Sequence, residues 1–350
     1  MVASLDIAGR RVGPDQPCFV IAEAGVNHNG SLELARQLVD KAQQAGADAV
    51  KFQTFKAERL VTRDAPKADY QCQTTGTAES QFEMLSRLEL SPDAHQAVMA
   101  HCSSSNIVFL STPFDEQSAD FLEALGVAAF KIPSGEITNL PFLAHVARKG
   151  KPMIVSTGMA CLGEVEMAVN TIWKAGNRSI VLLHCVSNYP AAPADINLRA
   201  MQTMATAFGL PVGYSDHTPG IEVPLAAVAL GACVIEKHFT LDRNLPGPDH
   251  QASLEPDELE SLVQGIRTVE VALGHGRKEP AASEANTAAV ARKSLVAVSD
   301  IPAGTLLTEE LVAVKRPGTG LPPAMRPYVM GRTARVLIPA GTVLGLEMLT

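Results

Sequence analysis

The chain has 350 residues, 46% of them hydrophobic and 19% charged. That balance excludes a disordered chain and predicts one large domain plus a small one. Net charge is −8 and no Lys/Arg-rich run offers a phosphate-tracking stripe, so nucleic acid is not an expected partner. The most apolar stretch, Val223 to Ile235, is interrupted by Pro224 and Gly231 and is too short for a membrane-spanning helix of about 20 residues. The first residues, Met1 to Gly13, carry Asp6, Arg10 and Arg11 and lack the apolar core of a signal peptide. The six cysteines form no C-x-x-C pair and several sit in apolar runs. They read as reduced core cysteines of a cytoplasmic protein without membrane contact.

From residue 18 onward, short apolar runs alternate with helical patterns. Strands are predicted at Cys18–Ala22, Ala47–Phe52, Ile107–Ser111, Ala128–Ile132, Pro152–Ser156, Ile180–His184, Pro211–Gly213 and Ala232–Lys237. Ser31, followed by Glu33, Leu34, Leu38 and Val39, opens a capped amphipathic helix, and Ser91-Pro92-Asp93 and Ser118 are further helix starts. Eight strands alternating with helices over roughly 250 residues fit an α/β (β/α)8 TIM barrel better than an open doubly wound sheet. No G-x-G-x-x-G follows the first strand, which removes the main support for the open-sheet alternative.

The pattern changes near residue 275. A Gly-, Ala-, Glu- and Ser-rich stretch divides the chain into 1–274, a linker at 275–290, and a β-rich domain at 291–350. Ser294–Val298, Leu311–Lys315 and Thr333–Leu337 are its β-like pieces. Asp300-Ile301-Pro302-Ala303-Gly304 and Leu337-Ile338-Pro339-Ala340-Gly341 echo each other and read as two similar turns.

In such a barrel, active-site residues come from the C-terminal ends of the strands. Polar residues fall there one strand after another. Glu23 follows strand one. Lys51 and Gln53 share one face of strand two by the two-residue period. Thr112, then Lys131 with Ser134 and Glu136, then Ser156, Ser187, Ser215 with His217, and Glu236 with His238 complete the circuit. Two lysines at buried strand ends call for an anionic ligand, and the hydroxyls supply donors for one. Lys131 also fits a Schiff-base lysine. His217 and His238 follow consecutive strands and suit a divalent transition ion with open coordination positions. Glu23 and Glu136 are candidate acid/base groups or acceptors for sugar hydroxyls. Core histidines, helix caps and structural carboxylates are the competing readings for each residue taken singly.

The chain resembles the sialic acid synthases. The resemblance rests on Ile21-Ala22-Glu23-Ala24-Gly25-Val26-Asn27-His28-Asn29-Gly30, Val50-Lys51-Phe52-Gln53, Ser111-Thr112-Pro113-Phe114 and Phe130-Lys131-Ile132-Pro133-Ser134-Gly135-Glu136. It continues through Ser156-Thr157-Gly158-Met159, Leu183 to Pro190, Gly213 to Thr218, Glu236 to Thr240 and Pro246-Gly247-Pro248-Asp249. The last part looks like an SAF (antifreeze-like) domain, with Lys315-Arg316-Pro317-Gly318 as its marker. The matches run in the same order over essentially the whole chain.

The resemblance implies a (β/α)8 barrel with a small C-terminal β-rich SAF domain, in a domain-swapped homodimer. It implies a manganese-type ion, with magnesium or cobalt as alternatives, on His217 and His238. It assigns phosphoenolpyruvate to Lys51, Thr112, Lys131, Ser134, Ser156, Ser187 and Ser215. An N-acyl amino sugar falls to Glu23, Tyr189 and Asp249, with Arg316 reaching in from the partner chain. The implied reaction is condensation of phosphoenolpyruvate with N-acetylmannosamine to N-acetylneuraminate and phosphate. The alternative is N,N'-diacetyllegionaminate formed from a 2,4-diacetamido-6-deoxy sugar. Glu136 is the expected proton carrier and Glu23 the group that orients the sugar, with the exchange of these two roles as the alternative. Two positions depart from the pattern: Ser187 stands where the family has asparagine, and a sugar-contacting asparagine lacks a counterpart around Thr75–Thr77. A Schiff-base aldolase and a non-catalytic sugar-binding protein are the rival classes.

Overall fold

The computed structural model describes residues 4–350 and separates them into two units, bounded as Met1–Gly274 and His275–Thr350. The larger unit opens with a hairpin, β1 (Leu5–Ile7) and β2 (Arg10–Val12). The predicted strands omit both, because Leu5–Ile7 and Arg10–Val12 carry Asp6, Arg10 and Arg11 and form no apolar run.

Eight parallel strands follow: β3 (Phe19–Gly25), β4 (Ala49–Thr54), β5 (Val108–Pro113), β6 (Phe130–Ile132), β7 (Met153–Ser156), β8 (Ile180–Cys185), β9 (Val212–Asp216) and β10 (Val234–His238). Each of the eight predicted runs overlaps one of them, with ends that differ by up to three residues. The hydrogen-bonded order is β5-β4-β3-β10-β9-β8-β7-β6. First and last strands therefore pair, Val234 beside Phe19 through His238 beside Glu23, and the sheet wraps into a (β/α)8 barrel.

The helices around it are α1 (Leu32–Gln44), α2 (Ala57–Leu60), α3 (Asp69–Thr75), α4 (Gln81–Leu88), α5 (Pro92–Ser104), α6 (Glu116–Leu125), α7 (Leu140–Ala147), α8 (Leu162–Lys174), α9 (Ala200–Phe208), α10 (Glu222–Ala229) and α11 (Pro256–Leu273). Ser31 Oγ accepts the Leu34 N–H at the start of α1, and Ser91 caps α5 ahead of Pro92. Ser118 is not a cap. Asp115 caps α6 and accepts the Ser118 N–H at 2.8 Å, because a carboxylate one turn upstream reaches the free amide first.

Period-two alternation divides the barrel strands into two faces. Val20, Ala22, Val50, Phe52 and Leu182 face outward into the layer packed by Leu38, Val39 and Leu122 of the helices. Phe19, Ile21, Ala49, Leu110, Ile154, Val181 and Val234 face inward at the N-terminal end, where Ile7 and Val12 of the hairpin close over them. The next inward positions are polar on β3, β4, β5, β7 and β10 (Glu23, Lys51, Thr112, Ser156 and Glu236), while β8 continues with Leu183.

In the smaller unit, the stretch predicted as linker carries a 3-10 turn at Ala282–Glu284 and a helix, α12 (Ala285–Ala291). Its alanine-rich composition supports helix where its Gly and Pro suggested a spacer. Strands β11 (Ser294–Ala297) and β12 (Val312–Lys315) pair antiparallel, and a short helix α13 (Arg326–Val329) follows. Thr333–Leu337 is not a strand; it contributes isolated bridges, Leu306 to Thr333 and Ala334 to Leu349. The two echoing turns meet each other. Ile301 and Ile338 exchange both backbone hydrogen bonds, at 2.8 and 2.9 Å. Gly304 N–H donates to Ala334 C=O while Gly341 N–H donates to Ala297 C=O, and Leu307 to Arg332 is matched by Leu344 to Leu295. The unit is thus two like segments, each completing the other.

Candidate active site

A cavity of about 480 Å³ opens at the C-terminal ends of the barrel strands. Its size is that of a small-molecule site. Every predicted site residue of the larger unit lines it: Glu23, Lys51, Thr112, Lys131, Ser134, Glu136, Ser156, Ser187, Tyr189, Ser215, His217, His238 and Asp249. Arg316 belongs to the smaller unit, where its Nε donates to the Ala291 carbonyl at 3.0 Å.

The floor is a buried charge cluster. Lys51 Nζ stands 2.7 Å from Glu23 Oε2 and donates to Thr112 Oγ1 at 2.8 Å. Lys131 Nζ donates to Ser156 Oγ at 2.8 Å and to the Ile132 carbonyl at 3.2 Å. Both ammonium groups share one oxygen: Glu236 Oε1 lies 3.9 Å from Lys51 and 3.5 Å from Lys131, and accepts from Ser215 Oγ at 3.1 Å. The sequence places Glu236 on one face with His238 but assigns it no role, and the structure makes it the centre of the floor. The two-residue period that found Lys51 and Gln53 was the available signal. Its neighbour Lys237 points the other way, buried against Asp216 Oδ2 at 2.5 Å, and is the structural lysine of the set.

Burial shifts these groups unequally. It disfavours charge on Lys51, but the Glu23 and Glu236 carboxylates outweigh it and hold that pKa above the ordinary value. Lys131 has one carboxylate at hand; burial wins, and its pKa falls. Burial also pushes the Glu23 carboxyl up to about 7 against the pull of Lys51, and the Asp249 carboxyl to about 6. For Glu236 the two lysines overcome burial and its pKa is lowered. Glu136 differs in setting: it is half-buried in a 3-10 turn, Ser134–Glu136, and accepts from Asn139 Nδ2 at 2.6 Å.

Next to this floor, Gly158 N–H donates to Ser134 Oγ at 3.0 Å. A side chain at residue 158 would place its Cβ 2.3 Å from Ser187 Oγ and 2.8 Å from Ser134 Oγ, so only glycine leaves the two hydroxyls room. The result is a small, donor-rich recess.

His217 and His238 lie with ring centroids 5.4 Å apart. His217 Nδ1 bonds the Val186 carbonyl at 2.7 Å, which leaves Nε2 free. His238 Nδ1 is buried without a hydrogen-bond partner, and burial holds this imidazole neutral by driving its pKa well down. Asp249 Oδ2 stands 3.9 Å from that nitrogen. Two free imidazole nitrogens suit a divalent ion. Among the described residues no cluster of three or more His, Cys, Asp or Glu is arranged to hold one, so any further positions would fall to substrate and water. Tyr189 stacks on His217 at 4.0 Å, and Tyr70 packs on Tyr189 at 5.0 Å. Tyr70 and the rest of α3 were invisible to a search along strand ends. Cys185, read as a core residue, also lines the cavity, 3.8 Å from His217 Nδ1.

Titratable groups converging at the C-terminal face define a (β/α)8-barrel enzyme. The NeuB family model matches residues 38–278 and the SAF domain model residues 292–350. The chain is 51% identical to N,N'-diacetyllegionaminic acid synthase of Legionella pneumophila, covering 95% of this chain and 94% of that protein. It is 52% identical to N,N'-diacetyllegionaminic acid synthase of Campylobacter jejuni, covering 90% and 95%. The crystal structure of N-acetylneuraminic acid (sialic acid) synthetase from Leptospira borgpetersenii superposes with a TM-score of 0.73 at 38% identity, covering 82% of this chain and 95% of that one. The chain belongs to the NeuB family, the sialic acid synthases, and carries a C-terminal SAF domain.

Proposed function

We propose that the chain is an N,N'-diacetyllegionaminate synthase. It condenses phosphoenolpyruvate and water with the open aldehyde of 2,4-diacetamido-2,4,6-trideoxymannose, releasing phosphate. The reaction class is carried by two buried lysines that share Glu236 beside a recess of hydroxyls. The choice of sugar is supported by identity above one half to two relatives bearing that name, against 38% to the N-acetylneuraminic acid synthetase. N-acetylmannosamine, the first expectation from sequence, becomes the second reading.

Lys51 and Lys131 offset the phosphate and carboxylate charges of phosphoenolpyruvate in a site of low dielectric. Ser134, Ser156, Ser187 and Thr112 donate to its oxygens, and Ser215, whose hydroxyl donates to Glu236, lines the same pocket. Carbon 3 attacks the aldehyde carbon, water adds to carbon 2, and the tetrahedral adduct breaks its carbon–oxygen bond to free phosphate. A manganese-type ion on His217 and His238, with magnesium or cobalt as substitutes, supplies Lewis-acid polarisation of the aldehyde oxygen when bound. Glu23, whose carboxyl burial raises to about 7 against the pull of Lys51, is placed to give the new alkoxide its proton in the role first expected of Glu136. Tyr189 and Asp249 orient the sugar. Arg316 contacts it from the partner of a domain-swapped homodimer. Lys131 Nζ has three acceptors around it, Ser156 Oγ, the Ile132 carbonyl and Glu236 Oε1, which supports an anion-holding ammonium over a Schiff-base amine even though burial lowers its pKa.

The test is phosphate release from phosphoenolpyruvate with each sugar in parallel, using heavy oxygen at the bridging position. The diacetamido sugar should give the higher kcat/KM, the label should leave with phosphate, and chelation should abolish turnover until manganese is restored. Label retained in the keto acid would overturn the chemistry; preference for N-acetylmannosamine would overturn the substrate.

A further inference from the structure

Between β4 and α5 the chain makes a detour through α2, α3 and α4 instead of turning directly into its helix. This detour has its own apolar cluster, Val26, Phe55, Met84 and Leu88, with Leu60, Leu85 and Phe114 packed on it. The cluster is not sealed. Leu60, Val61, Met84, Leu85, Leu88 and Phe114 form one flank of the cavity whose floor is the charge cluster. Tyr70 of α3, against Tyr189, joins that flank to the histidine end.

The cations of the detour are directed elsewhere. Lys56 pairs with Glu89 at 2.6 Å, Arg59 with Asp115 at 3.2 Å, and Lys67 and Arg87 both with Glu79 at 3.6 and 2.6 Å. Arg63 lies over the Phe82 ring at 5.4 Å. Among the residues lining the cavity, Lys51 and Lys131 are the only lysines or arginines, and Glu236 already lies between them. The polar groups beside this flank, Tyr70, Gln71 and Gln81, are neutral and bonded to one another, Gln81 Nε2 donating to Gln71 Oε1 at 3.3 Å and Gln71 Nε2 to the Tyr70 hydroxyl at 3.4 Å. A phosphate pressed against the leucines would lose water without gaining a counter-ion, whereas a methyl group would gain contact.

We propose that this flank is the specificity-determining element of the site, reading the end of the sugar farthest from the aldehyde. It takes a deoxy, methyl-terminated, uncharged end and rejects a hydroxylated or phosphorylated one. The inference rests on the synthase reading above and adds to it which residues choose the substrate. Hydrophobic contacts on the scale of one methylene discriminate by about 10- to 200-fold.

The experiment compares kcat/KM for 2,4-diacetamido-2,4,6-trideoxymannose, N-acetylmannosamine and N-acetylmannosamine 6-phosphate. It uses the wild type and Leu60→Asn and Leu85→Asn, both at half-buried positions on the flank. The wild type should favour the deoxy sugar and use the phosphorylated one least. Each variant should move the ratio of deoxy to hydroxylated sugar at least about tenfold toward the hydroxylated one, chiefly through the KM for sugar. Should an asparagine variant fail to fold, Leu60→Ser and Leu85→Ala read the same ratio. A ratio unchanged in folded variants, with the wild type active, overturns the flank and leaves the synthase reading standing. Equal use of the phosphorylated sugar overturns the flank as well. A wild type that turns over none of the three sugars overturns the synthase reading, and this inference with it.

Discussion

Along each barrel strand the inward side chains change character once. Toward the N-terminal end, Phe19, Ile21, Ala49, Leu110, Ile154, Val181 and Val234 pack under the hairpin residues Ile7 and Val12, all buried. Two residues further along, β3, β4, β5, β7 and β10 present Glu23, Lys51, Thr112, Ser156 and Glu236, and β6 adds Lys131, while β8 stays apolar with Leu183. One end gains free energy by excluding water, about 1.5–3 kcal/mol for each large side chain. The other end holds two lysines and two carboxyl groups nearly dry, an arrangement that stabilises the fold little and whose desolvation cost is recovered only in part by pairing. The lower half keeps the barrel closed so that the upper half can hold these groups together for chemistry.

The sharpest way to separate the halves is Lys131→Met. It removes one ammonium from the shared Glu236 oxygen while keeping the side chain's bulk. The expected loss is about a thousandfold in kcat/KM, the size found when a preorganised charge donor is deleted, with native far-ultraviolet circular dichroism. Activity within tenfold of wild type would remove Lys131 from the anion site. At the other end, Ile7→Ala should cost about 2–4 kcal/mol of folding stability through the cavity left under the hairpin. Its KM values should match wild type, and a changed KM for phosphoenolpyruvate would show that the two ends are coupled.

The smallest effect concerns Glu23. The folded chain holds its proton up to about pH 7, whereas the ordinary carboxyl releases it near 4.5. The folded state thus binds more protons in that window, and stability falls as pH rises through it. Glu23→Gln removes this term. Between pH 5 and 7 the stability of the metal-free wild type should drop by about 1–2 kcal/mol more than that of the variant. Parallel Tm-versus-pH curves would mean that Glu23 is ionised in the folded chain.

Much of this site was legible because the barrel rule and the two-residue period act together. Lys51, Lys131, Thr112, Ser156 and His238 each lie at a strand's C-terminal end with inward parity, and nothing more is needed to bring them to one floor. Glu236 obeys the same rule as the face-mate of His238, but its pairing with lysines from two other strands is a tertiary fact that no strand period shows. Tyr70, Leu60 and Leu85 could not be found this way. They come from short helices in a connection, where no period fixes direction. The hairpin was lost to brevity. Thr333–Leu337 misled for the opposite reason: its β-branched and apolar residues satisfy bridges to two different partners and never form a ladder.

The reciprocal turns of the smaller unit have a consequence for how this chain can be altered. Because Gly304 draws on Ala334 and Gly341 on Ala297, neither segment contains the acceptor for its own turn's glycine N–H. The domain is indivisible in the sense of a clasp: a truncation that removes the final segment also strips the first of its partners. Evolution or engineering can discard the whole of it or adjust it within the paired frame, but cannot shorten it by half.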